Sequence, residues 1–185
     1  PIYLLHGEEP YYIDLIDEAI DKGVLDEAEK GFNQTIVYGR DTDIATVLSM
    51  AKRYPMMSEY QVVMVREAQD MKDLFRKKRG SGEDDEIEPE EKSKSTEKDL
   101  MAEYLKKPLP STILVFCYKH KPVDKRTKLY KEFEKTAACL ETKKLYDNQI
   151  PPFITSYVAN RGYRISEQSA ILLTEYLGAD LTKVS

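Results

Sequence analysis

Apolar positions along the chain change their period several times, and each change marks an element. Ile2 to Leu5 is an unbroken apolar run ending at His6-Gly7, after which Tyr12, Leu15, Ile16, Ala19 and Ile20 recur at helical spacing. The opening therefore predicts strand, turn, helix. Phe32 to Tyr38, with β-branched Thr35, Ile36 and Val37 before Gly39, predicts a second strand. Ile44, Val47, Leu48 and Ala51 share one helical face behind Asp43, which suits an N-cap, and Pro55 ends that pattern. Val62 to Val65 runs without alternation, as a strand covered on both faces does. Thr112 to Cys117 repeats that signature behind a helix at about 97–105, and a helix at about 125–137 leads to a fifth strand near 140–143. Five strands alternating with helices predict a three-layer α/β domain over 1–146 with a mainly parallel sheet.

Two stretches depart from this rhythm. Residues 76–98 read RKKRGSGEDDEIEPEEKSKSTEK, a basic block followed by an acidic one, too poor in apolar residues to order itself, and are expected to be a mobile surface insertion. After Tyr146 the strand signals stop: Pro151-Pro152 mark a boundary, and two amphipathic helices at about 152–161 and 166–177 carry Gly162 and Gly178 where C-terminal caps belong. A second, all-helical domain is thus expected over 147–185. It is expected to be incomplete, because Asp180 is placed to cap a new helix just before Ser185 and Pro1 directly precedes a strand, so the chain reads as part of a longer protein.

Composition narrows the function. With 41% apolar and 33% charged residues the chain can build a core under a solvated exterior. A net charge of −5, from 28 basic and 33 acidic residues, excludes a surface that binds nucleic acid all over, so any DNA contact must be local. Cys117 and Cys139 form no CxxC pair and His6 and His120 are isolated, which leaves no zinc site and no catalytic histidine and suits a reduced cytoplasmic setting. No stretch approaches the roughly 20 apolar residues of a membrane span, and no basic region followed by an apolar signal core opens the chain.

The strand, glycine and helix at the start stand where a P-loop would, so the motif GxxxxGK[ST] is tested from Gly7. It places Tyr12 at the second glycine, Ile13 at the lysine and Asp14 at the magnesium-binding hydroxyl. Ile13 offers no charge to phosphates, Tyr12 blocks close backbone approach, and Glu8 and Glu9 put negative charge where phosphates would lie. Pro10 removes an amide donor but suits the first helical turn. The strand Val62 to Val65 likewise ends in Arg66-Glu67, not the acidic pair that would order magnesium. Neither nucleotide binding nor hydrolysis is expected, and no cofactor is called for.

Two other stretches carry candidate binding chemistry. Tyr54-Pro55-Met56-Met57 sets four large or rigid residues in a connection where polar turn residues are the rule. It reads either as an adaptable interface anchor or as a pair of methionines packed beneath the sheet edge. Lys119, Lys121, Lys125, Arg126, Lys128 and Lys131 form a basic stretch with His120. It reads either as a set of DNA phosphate contacts or as a solvated helix face capped by Asp124.

Taken in order, IYLLHGEEPYYIDLIDEAI, RYPMMSEYQVVMVREA, LPSTILVFCYKHKPVDKRTKLYKEFEK and ISEQSAILLTEYLGADL resemble the delta subunit family of the bacterial DNA polymerase III clamp loader, across nearly all of the chain. The resemblance implies an AAA+-like first domain without ATPase activity, a small helical second domain, and a collar domain absent here. It implies that Met56 and Met57 match the apolar pair that enters a hydrophobic pocket on the sliding clamp, although many relatives carry Leu-Phe or Phe-Phe there. The implied role is to bind the clamp and help open it for loading onto primed DNA during replication. The implied partners are the clamp (the beta subunit), the delta-prime and gamma/tau subunits, and DNA through the assembled complex. The chain alone would then be no enzyme but a subunit of a polymerase holoenzyme. The rival readings are an active P-loop ATPase and a non-specific DNA-binding module.

Overall fold

The computed structural model describes residues 1–71, 74 and 97–184, so most of the expected insertion at 76–98 lies outside the described residues. The chain divides into two compact units, Pro1–Thr142 and Lys143–Ser185. The first is built on strands β1 (Ile2–Gly7), β2 (Gln34–Tyr38), β3 (Gln61–Arg66), β4 (Thr112–Tyr118) and β5 (Ala138–Thr142), in the order β2-β3-β4-β1-β5. Every pairing is parallel, with Leu4 of β1 opposite Phe116 of β4 on one side and Cys139 of β5 on the other.

A parallel sheet needs both faces covered, and the residues divide accordingly. One face joins Leu4, Val63, Val65, Leu114 and Phe116 to Ile44, Val47 and Leu48 of α3 (Ile44–Ala51), Met101 and Leu105 of α4 (Glu97–Lys106) and Phe133 of α5 (Lys128–Thr136). Phe116 meets Phe133 edge to face at 5.8 Å. The other joins Leu5, Val62, Met64, Val115 and Cys117 to Ile13 of α1 (Pro10–Gly23) and to Leu25. Alternate residues of β3 and β4 thus enter different cores, which is why those strands read as continuous apolar runs.

Several expected boundaries are corrected. The second strand begins at Gln34 rather than Phe32, because 27–33 form a short helix, α2 (Glu27–Asn33). Its start is a capping box: the Asp26 and Glu29 side chains each bond the other's backbone end, a signal visible in the sequence as Asp followed three residues later by Glu. Helix α5 begins three residues later than expected, since the Thr127 hydroxyl accepts the Tyr130 amide at 3.2 Å and is the cap. Asp124, expected to cap it, instead accepts from the Arg126 amide at 3.0 Å in the preceding turn. The second unit holds α6 (Ile150–Asn160), α7 (Glu167–Leu177) and α8 (Leu181–Val184), around a small core of Ile150, Ile154 and Ala170. Ser166 caps α7, and Asp180 accepts the Thr182 amide at the start of α8.

Candidate functional site

The C-terminal ends of the strands are where an open parallel sheet binds ligands, and here the turn after β1 is packed against the end of β5. Gly7 leaves β1 with φ +145, in a region only glycine adopts readily, and a Cβ there would lie 2.0 Å from the Thr142 carbonyl oxygen. The close approach is used: the Glu8 amide donates to that carbonyl at 2.9 Å, and the Thr142 hydroxyl donates to the Glu9 carbonyl at 2.8 Å. The end of β5 therefore packs directly against the turn that follows β1. Glu9 is the N-cap of α1, its buried carboxylate accepting the Tyr11 amide at 3.2 Å, and Pro10 takes the first helical position. Tyr12 is half-buried against Tyr11.

Helix α1 starts early enough to turn Ile13 onto the sheet, where it is wholly buried. The position aligned with a phosphate-binding lysine is thus a core position. Asp14, aligned with the magnesium hydroxyl, pairs with Lys119 at 2.6 Å, and Lys119 also reaches Glu67 at 3.4 Å. Arg66 at the end of β3 holds Asp17 at 2.8 Å and Asp21 at 3.0 Å, and Gln34 donates to Asp21 at 2.7 Å. Burial works against both cations, yet the Asp17 and Asp21 partners hold the Arg66 pKa above its ordinary value, and Asp14 with Glu67 does the same for Lys119. The Gln34 hydrogen bond, reinforced by Arg66, holds Asp21 below the usual carboxylate range. Two cations, Arg66 and Lys119, are therefore held among four carboxylates on α1 and just after β3, and the cluster keeps a negative excess. Among the described residues, no group of three or more His, Cys, Asp or Glu is arranged to hold a metal ion.

The 52–60 connection between α3 and β3 has the opposite character. Met56 is 61% exposed, Met57 fully so at 101%, and Tyr54 is largely exposed. The reading in which this pair packs beneath the sheet edge does not describe these side chains. The loop is held from below by two buried amides. Asn33, at the end of α2 and 4% exposed, accepts the Met56 amide at 2.6 Å and donates to the Met56 carbonyl at 2.9 Å. Gln61, the first residue of β3, donates to the Arg53 carbonyl and to the Thr112 hydroxyl, which itself bonds the Ala51 carbonyl at 2.8 Å. Met57 takes a left-handed backbone, φ +54. Phe32, the neighbour of Asn33, is also largely exposed.

The basic stretch is not one helix face: Lys119 to Arg126 precede α5, and only Lys128 and Lys131 lie on it. Lys119 is in the cluster above, Lys125 pairs with Glu141 at 2.7 Å, Arg126 pairs with Asp124 at 2.9 Å, and Lys121 lies over the Tyr118 ring at 5.6 Å. His6 is buried on β1, its Nδ1 accepting the Val123 amide at 3.3 Å and its ring edge-on to Tyr130. Asn33, Gln61 and Thr142 were not singled out from the sequence; Asn33 and Thr142 meet partners 23 and 133 positions away, and Gln61 bonds backbone carbonyls, which no residue type announces.

Comparison with known proteins bears on all of this. The family model described as DNA polymerase III, delta subunit, matches residues 3–143. The curated DNA polymerase III subunit delta of Bacillus subtilis (strain 168) is 23% identical over 186 residues, covering 100% of this chain and 49% of that protein. Among solved structures, the Bacillus subtilis DNA clamp loader delta protein matches with a TM-score of 0.70 at 21% identity, over 100% of this chain and 51% of that one. A DNA polymerase III gamma subunit-related protein from Thermotoga maritima matches with a TM-score of 0.51 at 10% identity, over 99% of this chain and 51% of that one. The chain thus spans about half the length of the relatives it matches, and the structural likenesses speak to fold.

Proposed function

Because the chain belongs to the DNA polymerase III delta-subunit family, we propose that it docks on a ring-shaped sliding clamp through Met56 and Met57 and helps open one clamp interface, without hydrolysing ATP itself. The observation that carries this reading is the full exposure of Met57 at the tip of a loop whose backbone is pinned from beneath. An unbranched, polarizable side chain adapts to an apolar pocket. Burying two methionines is worth about 3–6 kcal/mol gross, before the costs of association are subtracted.

The absence of ATP hydrolysis is supported by the strand end, where Thr142 packs against the turn after β1, Ile13 is core and Lys119 is engaged by carboxylates. ATP use then falls to sister subunits of a loader of which delta-prime and gamma/tau would be the other members. The DNA-binding rival is weakened by the internal pairing of Lys119, Lys125 and Arg126, which leaves Lys121 and Lys128 as the better candidates for phosphate contact inside an assembled complex.

The test is Met57→Asp in the full-length protein, measured as capture of the cognate clamp on a sensor surface. Affinity should fall at least about 100-fold, the order expected when a central anchor is replaced by a charge, while the melting curve stays in place. Unchanged capture would put the clamp contact elsewhere.

A further inference from the structure

We propose that Asn33 is a positioning residue for the Met56-Met57 tip, a latch that fixes the loop in its docking shape before the partner arrives. This rests on the reading of the tip as the clamp contact. Asn33 is 23 positions from Met56 in sequence, buried, and bonded to Met56 through both ends of its amide, at 2.6 and 2.9 Å. Both bonds go to backbone atoms, so they set the path of the chain and leave the Met56 side chain facing solvent. The side chain acts as one edge of a strand partner would, and asparagine is the shortest residue able to do so, offering a donor and an acceptor together.

The strain beside it points the same way. Met57 holds a left-handed backbone that L residues other than Gly, Asn and Asp rarely adopt, and such a conformation persists only where the surroundings over-determine it. Its own side chain is fully exposed and contributes little to that determination. The backbone is constrained on the Met56 side by Asn33, and on the other side the Tyr60 amide donates to the Ser58 hydroxyl at 3.4 Å. Asn33 is in turn held between two ordered elements: it ends α2, which starts from the capping box at Asp26 and Glu29, and the chain passes from it directly into β2. A tip ordered in advance loses less conformational entropy on docking.

The experiment is a double-mutant cycle in the full-length protein, with Asn33→Ala, Met57→Ala and the pair, read as affinity and association rate for the cognate clamp. Asn33→Ala should weaken binding about tenfold, and in the Met57→Ala background by no more than about twofold, because the latch acts through the tip. Asn33→Asp, which keeps the acceptor for the Met56 amide and loses the donor, should fall between. In the unmodified protein the Met56 amide should be protected from hydrogen exchange although its side chain is exposed, a measurement that stands even if Asn33→Ala fails to fold. An unprotected Met56 amide, or equal losses in both backgrounds, would overturn the latch. If Met57→Asp abolishes capture and Asn33→Ala leaves it unchanged, the latch alone falls; if Met57→Asp changes nothing, the tip reading falls and takes the latch with it.

Discussion

The turn after β1 and the loop before β3 belong to the same sheet end-to-end framework, yet one is closed on itself and the other is left open. At the turn, Thr142 fills the space beneath Gly7, Arg66 pairs with Asp17 and Asp21, and Lys119 pairs with Asp14 and Glu67. At the loop, polar groups are satisfied below, by Asn33 and Gln61, and the apolar side chains are turned outward. Charged side chains from α1 and from the ends of β3 and β4 pair beside the turn, whereas the exposed apolar side chains of the loop lie at the other end of β3.

The comparison makes the two regions respond to mutation with opposite signatures. The largest effect is expected from Ile13→Lys, the change that would restore the lysine of a phosphate loop. Because Ile13 is wholly buried against Leu5, Val62 and Met64, the new ammonium would enter an apolar core. A buried lysine shifted by 3–5 pKa units corresponds to about 4–7 kcal/mol, comparable to the whole stability of a small domain. Chemical denaturation should show collapse of the folded state and calorimetry no ATP binding. A stable variant that binds ATP would mean the strand end is still a nucleotide site.

Next in size is Met57→Gly, which separates stability from function at the tip. Glycine removes an anchor, so clamp affinity should drop by about tenfold or more. It also relieves the left-handed backbone, whose cost for an ordinary L residue is roughly 1–2 kcal/mol, partly offset by glycine's greater freedom when unfolded. Stability should therefore hold or rise by up to about 1 kcal/mol, measured by urea titration. A clear loss of stability would show that the Met57 side chain serves the fold.

These two residues also mark how far the sequence alone could be read. The strands were legible because β3 at 62–65 and β4 at 113–117 are apolar without alternation, as a doubly covered parallel strand requires. The degenerate motif was legible as a list of wrong residue types. The contacts that pack around it were not, because Thr142 meets Glu9 across 133 positions and Lys119 meets Asp14 across more than a hundred. Ile13 shows the limit best: its missing charge is visible in the sequence, but its place in the core depends on where α1 begins, which Glu9 and Pro10 fix. At the tip, the cluster Tyr54-Pro55-Met56-Met57 was conspicuous while its orientation was undecidable, since methionine is equally at home in a core or an interface. Helix α2 is announced by Asp26 and Glu29, but Phe32, exposed on the helix, has the aromatic character of a strand residue and hides the boundary at Gln34.

The smallest effect separates the regions by acid. His6 lies at the closed end, and burial holds its pKa below the ordinary value, with Glu141 pulling upward and Lys125 downward. Its Nδ1 accepts the Val123 amide, a bond the protonated ring could not keep. The unfolded chain binds a proton near pH 6.5, before the folded one does, so the stability His6 contributes is fully present above that value and is lost as pH falls through the lower folded value. Urea titrations at pH 7.5, 6.5 and 5.5 should show a shallow fall that is absent in His6→Gln. Clamp affinity corrected for the folded fraction should not follow it, because the side chains of Met56 and Met57 carry no ionisable group. A pH slope that survives His6→Gln would place the acid sensitivity in another group, and the Asp21 and Glu67 carboxylates, held below their usual range, lose their stabilising charge only at lower pH.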